Sequence, residues 1–105
     1  MAGCDDFDAS RSWAIRGRAV DQLGYALRDR PLNECNRVSC VMPDQLEAEL
    51  EGAREHPCSV FIVPRETEVE ARVFLPLPEG TNGGESYSHF FDPDLTRLLR
   101  ARYEQ

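Results

Sequence analysis

The sequence predicts one small α+β domain, in which a mainly antiparallel sheet of three to four strands packs with three helices. Two observations predict this class. Apolar residues recur at helical spacing in residues 9–29, whereas residues 36–42 and 58–75 have the alternating or continuously apolar patterns of strands. The resulting order is α-β-α-β-β-(β)-α, which is typical of helices packed on an antiparallel sheet. The chain has 105 residues and no linker, so residues 9–105 are expected to form a single domain after a flexible amino-terminal tail at residues 1–8.

The first helix is predicted over residues 9–29. Asp8 or Ser10 supplies the amino-terminal cap, and Arg30 and Pro31 end the helix. Its apolar and small residues fill an arc of about 200°, whereas one core face needs an arc of about 100°. The helix is therefore expected to carry more apolar surface than the core of this domain can cover.

A strand, a second helix and a central strand follow. Residues 36–42 alternate between apolar and polar positions, which predicts a strand. Asp44 is the predicted cap of a helix that ends at His56. The narrow apolar stripe of this helix consists of Leu46, Leu50 and Ala53. Residues 58–63 are nearly all apolar and rich in β-branched side chains, which predicts a central strand covered on both faces.

The carboxyl-terminal part predicts a hairpin, a loop and a last helix. Residues 69–75 alternate as a strand, with Glu70 and Arg72 directed to water. Residues 79–86 predict a mobile loop before a further short strand. The run Asp-Pro-Asp at 92–94 predicts a helix start, because it combines a cap, a proline in the first turn and an acidic residue at the positive end of the helix dipole. The inward-facing residues of this last helix are predicted to be Leu95, Leu98, Leu99 and Tyr103.

Charge and composition exclude several classes of partner. The chain has 12 basic residues, all arginines, and 19 acidic ones, and its net charge of −7 repels nucleic-acid phosphates. It has no apolar run near the roughly 18 residues that cross a membrane. The acidic segment 1–8 does not resemble a secretory signal. We therefore expect a cytoplasmic protein, of bacterial or phage origin given its lysine-free composition, whose four cysteines are reduced thiols.

Two groups of residues have the types, but not the spacing, of chemical sites. The first group consists of Cys35, Cys40, His56 and Cys58. Thiols five residues apart on a strand point to opposite faces, so inert buried thiols are favoured over a metal or redox site. The second group, which has the residue types of a hydrolytic triad, consists of Ser86, Ser88, His89 and Asp92. No nucleophile turn surrounds these residues, so we predict no catalytic residue, no metal, no cofactor and no enzymatic activity.

The strongest candidate for a functional surface is a stripe along the first helix. Large side chains alternate on this stripe with glycines, each of which costs roughly 1 kcal/mol inside a helix. The stripe consists of Trp13, Gly17, Val20, Gly24 and Leu27, and Arg16 lies near the middle of the apolar arc. These six residues are the predicted partner-binding residues, because such a groove lets a second element approach closely. The alternative is that the stripe packs on this protein's own sheet or on the last helix, 94–103. We expect the two glycines to differ, with Gly24 in the core and Gly17 at the surface.

These features predict a small, acidic, non-enzymatic protein-binding module. We expect a regulator or inhibitor, similar in kind to antiactivators, that uses helix 9–29 to mask an apolar assembly surface of another protein. A homodimer through the same helix is a close variant. Two alternatives stay open, namely the metal-binding or redox domain described above and an acidic decoy of a nucleic-acid-binding protein. The decoy would use the acidic residues of the second helix, which are Asp44, Glu47, Glu49, Glu51 and Glu55.

Overall fold

The computed structural model describes residues 3–24, 35–76 and 84–104, which form a five-stranded sheet with two helices and short 3-10 turns. The spatial order of the strands is their order in the chain, β1-β2-β3-β4-β5. Strands β1 and β2 are parallel, and all other neighbours are antiparallel. The helices are α1 (Ala9–Leu23) and α2 (Leu46–Gly52), and the strands are β1 (Arg37–Cys40), β2 (Ser59–Pro64), β3 (Val69–Pro76), β4 (Gly84–Phe91) and β5 (Leu98–Glu104).

The predicted α+β class is confirmed, but the predicted sheet size, helix count and element order are wrong. The sheet has five strands instead of three to four. The described residues contain two α-helices instead of three, because the segment predicted as the last helix forms β5. The order of the described elements is therefore α-β-α-β-β-β-β.

The segment after Asp92 forms a tight turn instead of a helix. The carboxylate of Asp92 accepts hydrogen bonds from the backbone N–H and the hydroxyl of Thr96, and the carbonyl of Asp92 accepts one from the N–H of Leu95. Leu95 adopts a left-handed backbone with φ of 65°, which reverses the chain. The N–H of Asp92 then donates to the carbonyl of Arg97, and β5 pairs along β4. An aspartate at this position caps a turn as readily as a helix.

Helix α1 covers one face of the sheet, which we call the α1 face. The carboxylate of Asp8 accepts a hydrogen bond of 2.8 Å from the backbone N–H of Arg11, as the predicted cap requires. The buried residues of the helix are Ser12, Ile15, Ala19 and Leu23. They pack against apolar side chains of β2, β3 and β4 in the larger core. Residues 25–29, which the sequence assigns to the same helix, lie outside the described residues.

Helix α2 lies on the opposite face, which we call the α2 face. A 3-10 turn, Pro43–Gln45, precedes α2, and a second one, Ala53–Glu55, follows it. Leu46 and Ala53 are buried and Leu50 is half-buried, so the predicted apolar stripe is confirmed. These residues pack on Phe61, Val63 and Phe74 in a smaller second core. Strand β2 is thus covered on both faces, as its apolar run predicts.

Two disulfides link the first half of the chain. Cys4 is bonded to Cys40, and Cys35 to Cys58, with Cα–Cα distances of 5.5 and 4.6 Å. The prediction that the four cysteines are reduced thiols is therefore wrong. Sequence spacing did not indicate the pairs, because their members lie 36 and 23 residues apart. Cys35 meets Cys58 when β1 pairs with β2, and Cys4 meets Cys40 only when the turn before α1 lies beside β1. Cys4 and the buried Phe7 anchor residues 3–8 to the sheet, and the flexibility of segment 1–8 stays a prediction.

One glycine occupies a position at which a larger residue would collide. A Cβ atom on Gly84, at the start of β4, would lie 2.7 Å from the ring of Phe74 on β3. Most of the predicted loop before it, residues 79–83, lies outside the described residues. The short strand predicted at residues 87–91 is confirmed and begins three residues earlier, at Gly84.

Candidate interaction surface

The apolar arc of α1 separates into two stripes in the structure. At about 100° per residue, the buried stripe and the stripe that contains Trp13 are separated by about 125° around the helix axis. The buried stripe faces the sheet. The other stripe, which we call the outer stripe, consists within the described residues of Trp13, Gly17, Val20 and Gly24. Leu27, which the sequence assigns to the same stripe, lies outside the described residues.

Trp13 is held in place at the surface. Its side chain is 50% exposed, and the guanidinium of Arg16 lies 4.6 Å from the centroid of the indole ring. The Nε–H of Arg16 donates to the backbone carbonyl of Cys35, so this guanidinium is fixed from its other side. Cation–π contact and a backbone hydrogen bond therefore order an exposed aromatic side chain before any partner arrives.

The outer stripe has two described glycines, Gly17 in the interior of α1 and Gly24 at its end. A Cβ atom on Gly17 would meet nothing within 4 Å, and one on Gly24 would meet only the carbonyl oxygen of Asp21 at 3.4 Å. The expectation that Gly24 belongs to the core is wrong, because Gly24 is exposed. Val20 is half-buried and packs at the border of the larger core. Gly17 thus leaves open space on the outer stripe one turn after Trp13, whereas Gly24 lies about 17 Å from Trp13 along the axis, at the end of α1.

The metal site considered for Cys35, Cys40, His56 and Cys58 is not present, and a redox role of these cysteines stays a prediction. Each of its thiols is consumed in a disulfide, and the two bonds do not join these cysteines as one cluster. His56 contacts Arg37 instead. Among the described residues, no group of three or more His, Cys, Asp or Glu is arranged to hold a metal ion.

The triad residues do not converge either. Ser88 and His89 are neighbours on β4 and therefore point to opposite faces of the sheet. His89 is fully buried on the α1 face, and neither ring nitrogen has a hydrogen-bond partner among the described residues. Burial lowers the pKa of this imidazole below its usual value of 6.5. The neutral form is therefore the stable form of His89 in the folded protein.

The sequence did not predict a buried charge network on the α2 face. Glu70, which was expected to face water, is only 1% exposed. Its carboxylate accepts hydrogen bonds from Arg65 at 2.7 Å, from Arg72 at 2.9 Å and from the hydroxyl of Ser88 at 2.8 Å. Burial raises the pKa of Glu70, but the hydrogen bonds from Arg65 and Ser88 and the charges of Arg72 and Arg65 lower it more, and the pKa lies below its usual value of 4.5.

A second pair of arginines continues this network across the sheet. Phe90 on β4 lies opposite Arg100 on β5, and the guanidinium carbons of Arg100 and Arg102 lie 4.3 and 5.9 Å from the centroid of its ring. Nη2 of Arg100 also donates to Glu68 at 2.6 Å. We call Arg65, Arg72, Arg100 and Arg102 the arginine cluster. In the sequence, arginines alternate on β5, at 100 and 102, and only the strand register places them on the same face of the sheet as Arg72 of β3.

The acidic side chains of α2 are the residues of the second alternative, a decoy that would occupy a nucleic-acid-binding protein. Glu47, Glu49 and Glu51 are exposed, but Glu51 is paired with Arg54 at 2.9 Å.

In the described part of the chain, neither helix combines the length and the apolar character of a membrane span. The outer stripe of α1 is the candidate interaction surface among the described residues. Comparison of the chain with protein-family models, with curated proteins and with solved structures found no match.

Proposed function

We propose that this protein is a non-enzymatic binding module that acts on another protein through the outer stripe of α1. The observation that carries the proposal is the state of Trp13, which is half exposed and yet fixed by Arg16. Tryptophan and arginine are the residues most enriched among those that dominate binding energy at interfaces. A side chain that is ordered before binding loses less entropy when the complex forms.

Gly17, one turn after Trp13, supports the same proposal. Gly17 lies in the interior of α1 with open space around it, so no contact within the described protein offsets its cost to the helix. A partner helix or strand that approaches Gly17 closely would supply the missing contacts. In this proposal the module acts stoichiometrically, as a regulator or inhibitor that masks an apolar surface which the partner needs for assembly.

We propose an oxidising compartment as the place of action, in place of the cytoplasmic location expected from the sequence. Structural disulfides persist outside the reducing cytosol. The two disulfides of this chain enclose α1 and β1, the elements that position Trp13 and the carbonyl which holds Arg16. The partner is then a protein of the same compartment.

Position-specific crosslinking in the source cells tests the proposal. A photoreactive phenylalanine derivative replaces Trp13 in one variant and the exposed Gln22 in the control, which lies about 180° away around α1. We expect one covalent adduct from position 13 and none from position 22. The captured protein is then purified, and we expect it to bind the wild type in equimolar ratio and to bind Trp13→Ala about a hundredfold more weakly.

Three results would count against the proposal. Equal adducts from both positions would mean that capture is nonspecific, and an unchanged affinity of Trp13→Ala would mean that the outer stripe is not the contact. An adduct of twice the chain mass in purified protein would replace the foreign partner by a second copy. The fold of each variant is checked by its circular dichroism spectrum and melting temperature.

A further inference from the structure

The two disulfides differ in their exposure to solvent. Cys4 and Cys40 are both half-buried, whereas Cys35 and Cys58 are 0% and 2% exposed. Thiol–disulfide exchange requires a thiolate to reach one of the two sulfur atoms. In the folded protein a reagent in solvent can therefore approach the Cys4–Cys40 bond, but it reaches the Cys35–Cys58 bond only after the core opens.

The turn Cys4–Asp6 is joined to the sheet through its disulfide. The hydrogen bonds of this turn are local, since the N–H of Asp6 donates to the carbonyl of Gly3 at 3.0 Å and the N–H of Gly3 donates to the carboxylate of Asp6 at 2.9 Å. The carbonyl of Asp6 also accepts from Arg11 of α1 at 3.1 Å. Among the described residues, this turn makes no hydrogen bond to a strand, so the bond from Cys4 to the end of β1 holds it there.

The elements on either side of the bond are held independently of it. Phe7, which follows the turn, is buried in the larger core. Cys40 lies opposite Ile62 in the β1–β2 ladder, and the bond between Cys35 and Cys58 still joins the start of β1 to β2. Opening of the Cys4–Cys40 bond therefore frees the turn and leaves the domain folded.

We propose that the Cys4–Cys40 disulfide is a redox-sensitive site that a small thiol of the glutathione class opens in the folded protein, whereas the Cys35–Cys58 disulfide is permanent. The protein then has two folded forms. The acidic turn Cys4–Asp6 is clamped to β1 in the oxidised form and released from it in the reduced form. This inference does not rest on the outer stripe of α1.

The opening consumes two thiols in two steps. A glutathione thiolate attacks Sγ of Cys4 and forms a mixed disulfide there, and Sγ of Cys40 leaves as a thiolate and takes up a proton. A second glutathione thiolate attacks the glutathione sulfur of the mixed disulfide, which yields oxidised glutathione and the thiol of Cys4. Cys40 is the leaving group because a thiolate at Cys4 would stand next to the carboxylates of Asp5 and Asp6.

Graded reduction of the wild type tests the proposal. The folded protein is incubated with reduced glutathione at about pH 8, where part of the reagent is thiolate, and samples are quenched with iodoacetamide and mapped by mass spectrometry. We expect Cys4 and Cys40 to be labelled at least about a hundredfold faster than Cys35 and Cys58. The rate should rise in proportion to the glutathione concentration, and the transient glutathione adduct should lie on Cys4.

The form with two free thiols should keep the fold of the oxidised protein. Its circular dichroism spectrum should be unchanged, and so should the fluorescence of Trp13, which is the single tryptophan of the chain.

A charge variant with a matched control tests where the thiolate attacks. Asp5→Asn removes an exposed carboxylate next to Cys4, and we expect about twofold faster opening because glutathione is an anion. Asp21→Asn removes an exposed carboxylate near the other end of α1 and is expected to leave the rate unchanged.

Several results would overturn the proposal. Equal rates for the two bonds, or a rate that does not depend on the glutathione concentration, would mean that reduction requires unfolding. Loss of the circular dichroism signal in the form with two thiols would make Cys4–Cys40 a purely structural bond. An adduct on Cys40 would contradict the assigned direction of attack, and equal rates of Asp5→Asn and wild type would contradict the influence of the acidic turn.

Discussion

A buried carboxylate is tolerated only when other groups match its charge and hydrogen bonds. Glu70 meets this condition through two arginines and one serine hydroxyl. We expect Glu70→Gln to lower the free energy of unfolding at pH 7 by about 3 kcal/mol, because it leaves Arg65 and Arg72 with a neutral partner. Urea unfolding measures the change, and the exposed Glu66→Gln in the neighbouring turn is the control, with an expected change within about 0.5 kcal/mol.

The same carboxylate gives the stability a defined pH dependence. Because the pKa of Glu70 is lower in the folded than in the unfolded chain, its contribution is complete above the unfolded value near 4.5 and is lost as the pH falls through the folded value. The difference between wild type and Glu70→Gln should therefore be constant from pH 7 to pH 5 and shrink below pH 4.5. A difference that does not change down to pH 3 would contradict the assigned network.

His89 is the second buried titratable residue. Unlike the carboxylate of Glu70, its ring nitrogens have no hydrogen-bond partner in the described chain. We expect His89→Leu to raise the free energy of unfolding at pH 7 by about 1 kcal/mol, since leucine has a similar volume and no polar group. The free energy of unfolding of the wild type also falls as the pH drops below 6.5. The imidazole of the unfolded chain binds a proton there, whereas burial lowers the pKa of the imidazole in the folded protein.

The gap between His89→Leu and wild type should therefore widen between pH 7.5 and pH 5.5, by at most about 1.4 kcal/mol per pH unit. Urea unfolding at the two pH values measures it. A gap of the same size at both would mean that burial does not lower the pKa of His89 in the folded protein.

At the scale of elements, α1 shows how an apolar arc can be misassigned. The helical period in the sequence predicted the apolar arc of α1 correctly, but it did not indicate which half of this arc packs on the sheet. The structure buries Ile15, Ala19 and Leu23 and leaves Trp13 and Gly17 outside. The surplus of apolar surface inferred from the sequence corresponds to this outer stripe.

The open space around Gly17 leads to a direct stability prediction. Gly17→Ala should raise the free energy of unfolding by about 1 kcal/mol and the melting temperature by roughly 4–8 °C, because alanine restricts the unfolded chain and meets no neighbour in the folded one. Gly24→Ala, at the end of the helix, should have a smaller effect. A lower melting temperature of Gly17→Ala would show that Gly17 is packed against another part of the chain.

The last strand was predicted as a helix because two signals coincided there. Asp-Pro-Asp begins helices and turns alike, and leucines at 95, 98 and 99 match a helical period. The alternation of arginine with alanine and tyrosine from 100 to 103 matches a strand equally well. Pairing with β4 decided between the two, and that pairing is a property of the tertiary structure.

At the scale of the whole molecule, the sequence predicted the class and the β2–β3 hairpin because each depends on local patterns. The sequence did not predict the features that depend on how other elements pack against the sheet. Glu70 and Arg72 occupy the polar positions of an alternating strand, and only the packing on the α2 face buries that side. The disulfides are likewise a tertiary property, since strand pairing brings Cys35 to Cys58 and the packing of the turn before α1 brings Cys4 to Cys40.

The disulfides are checked by thiol titration of the unfolded protein. We expect no reactive thiol without reductant and four with it, and a non-reduced peptide map should join Cys4 to Cys40 and Cys35 to Cys58. Replacing either pair by alanines should lower the free energy of unfolding by about 3–4 kcal/mol, because loops of this length gain that much freedom in the unfolded chain. Four thiols without reductant would restore the cytoplasmic alternative.

The two disulfides overlap along the chain, and this determines how the protein responds to mechanical force. Between Cys4 and Cys58, the shortest covalent path passes through both bonds and only the segment from Cys35 to Cys40. When the chain is pulled at its two ends, β5, β4, β3 and β2 can be drawn out and β1 lies in the loaded segment, but α1 and α2 carry no load. The fully stretched protein would be roughly 190 Å long instead of roughly 370 Å for the reduced chain. The outer stripe of α1 thus belongs to the part of the molecule that tension does not extend.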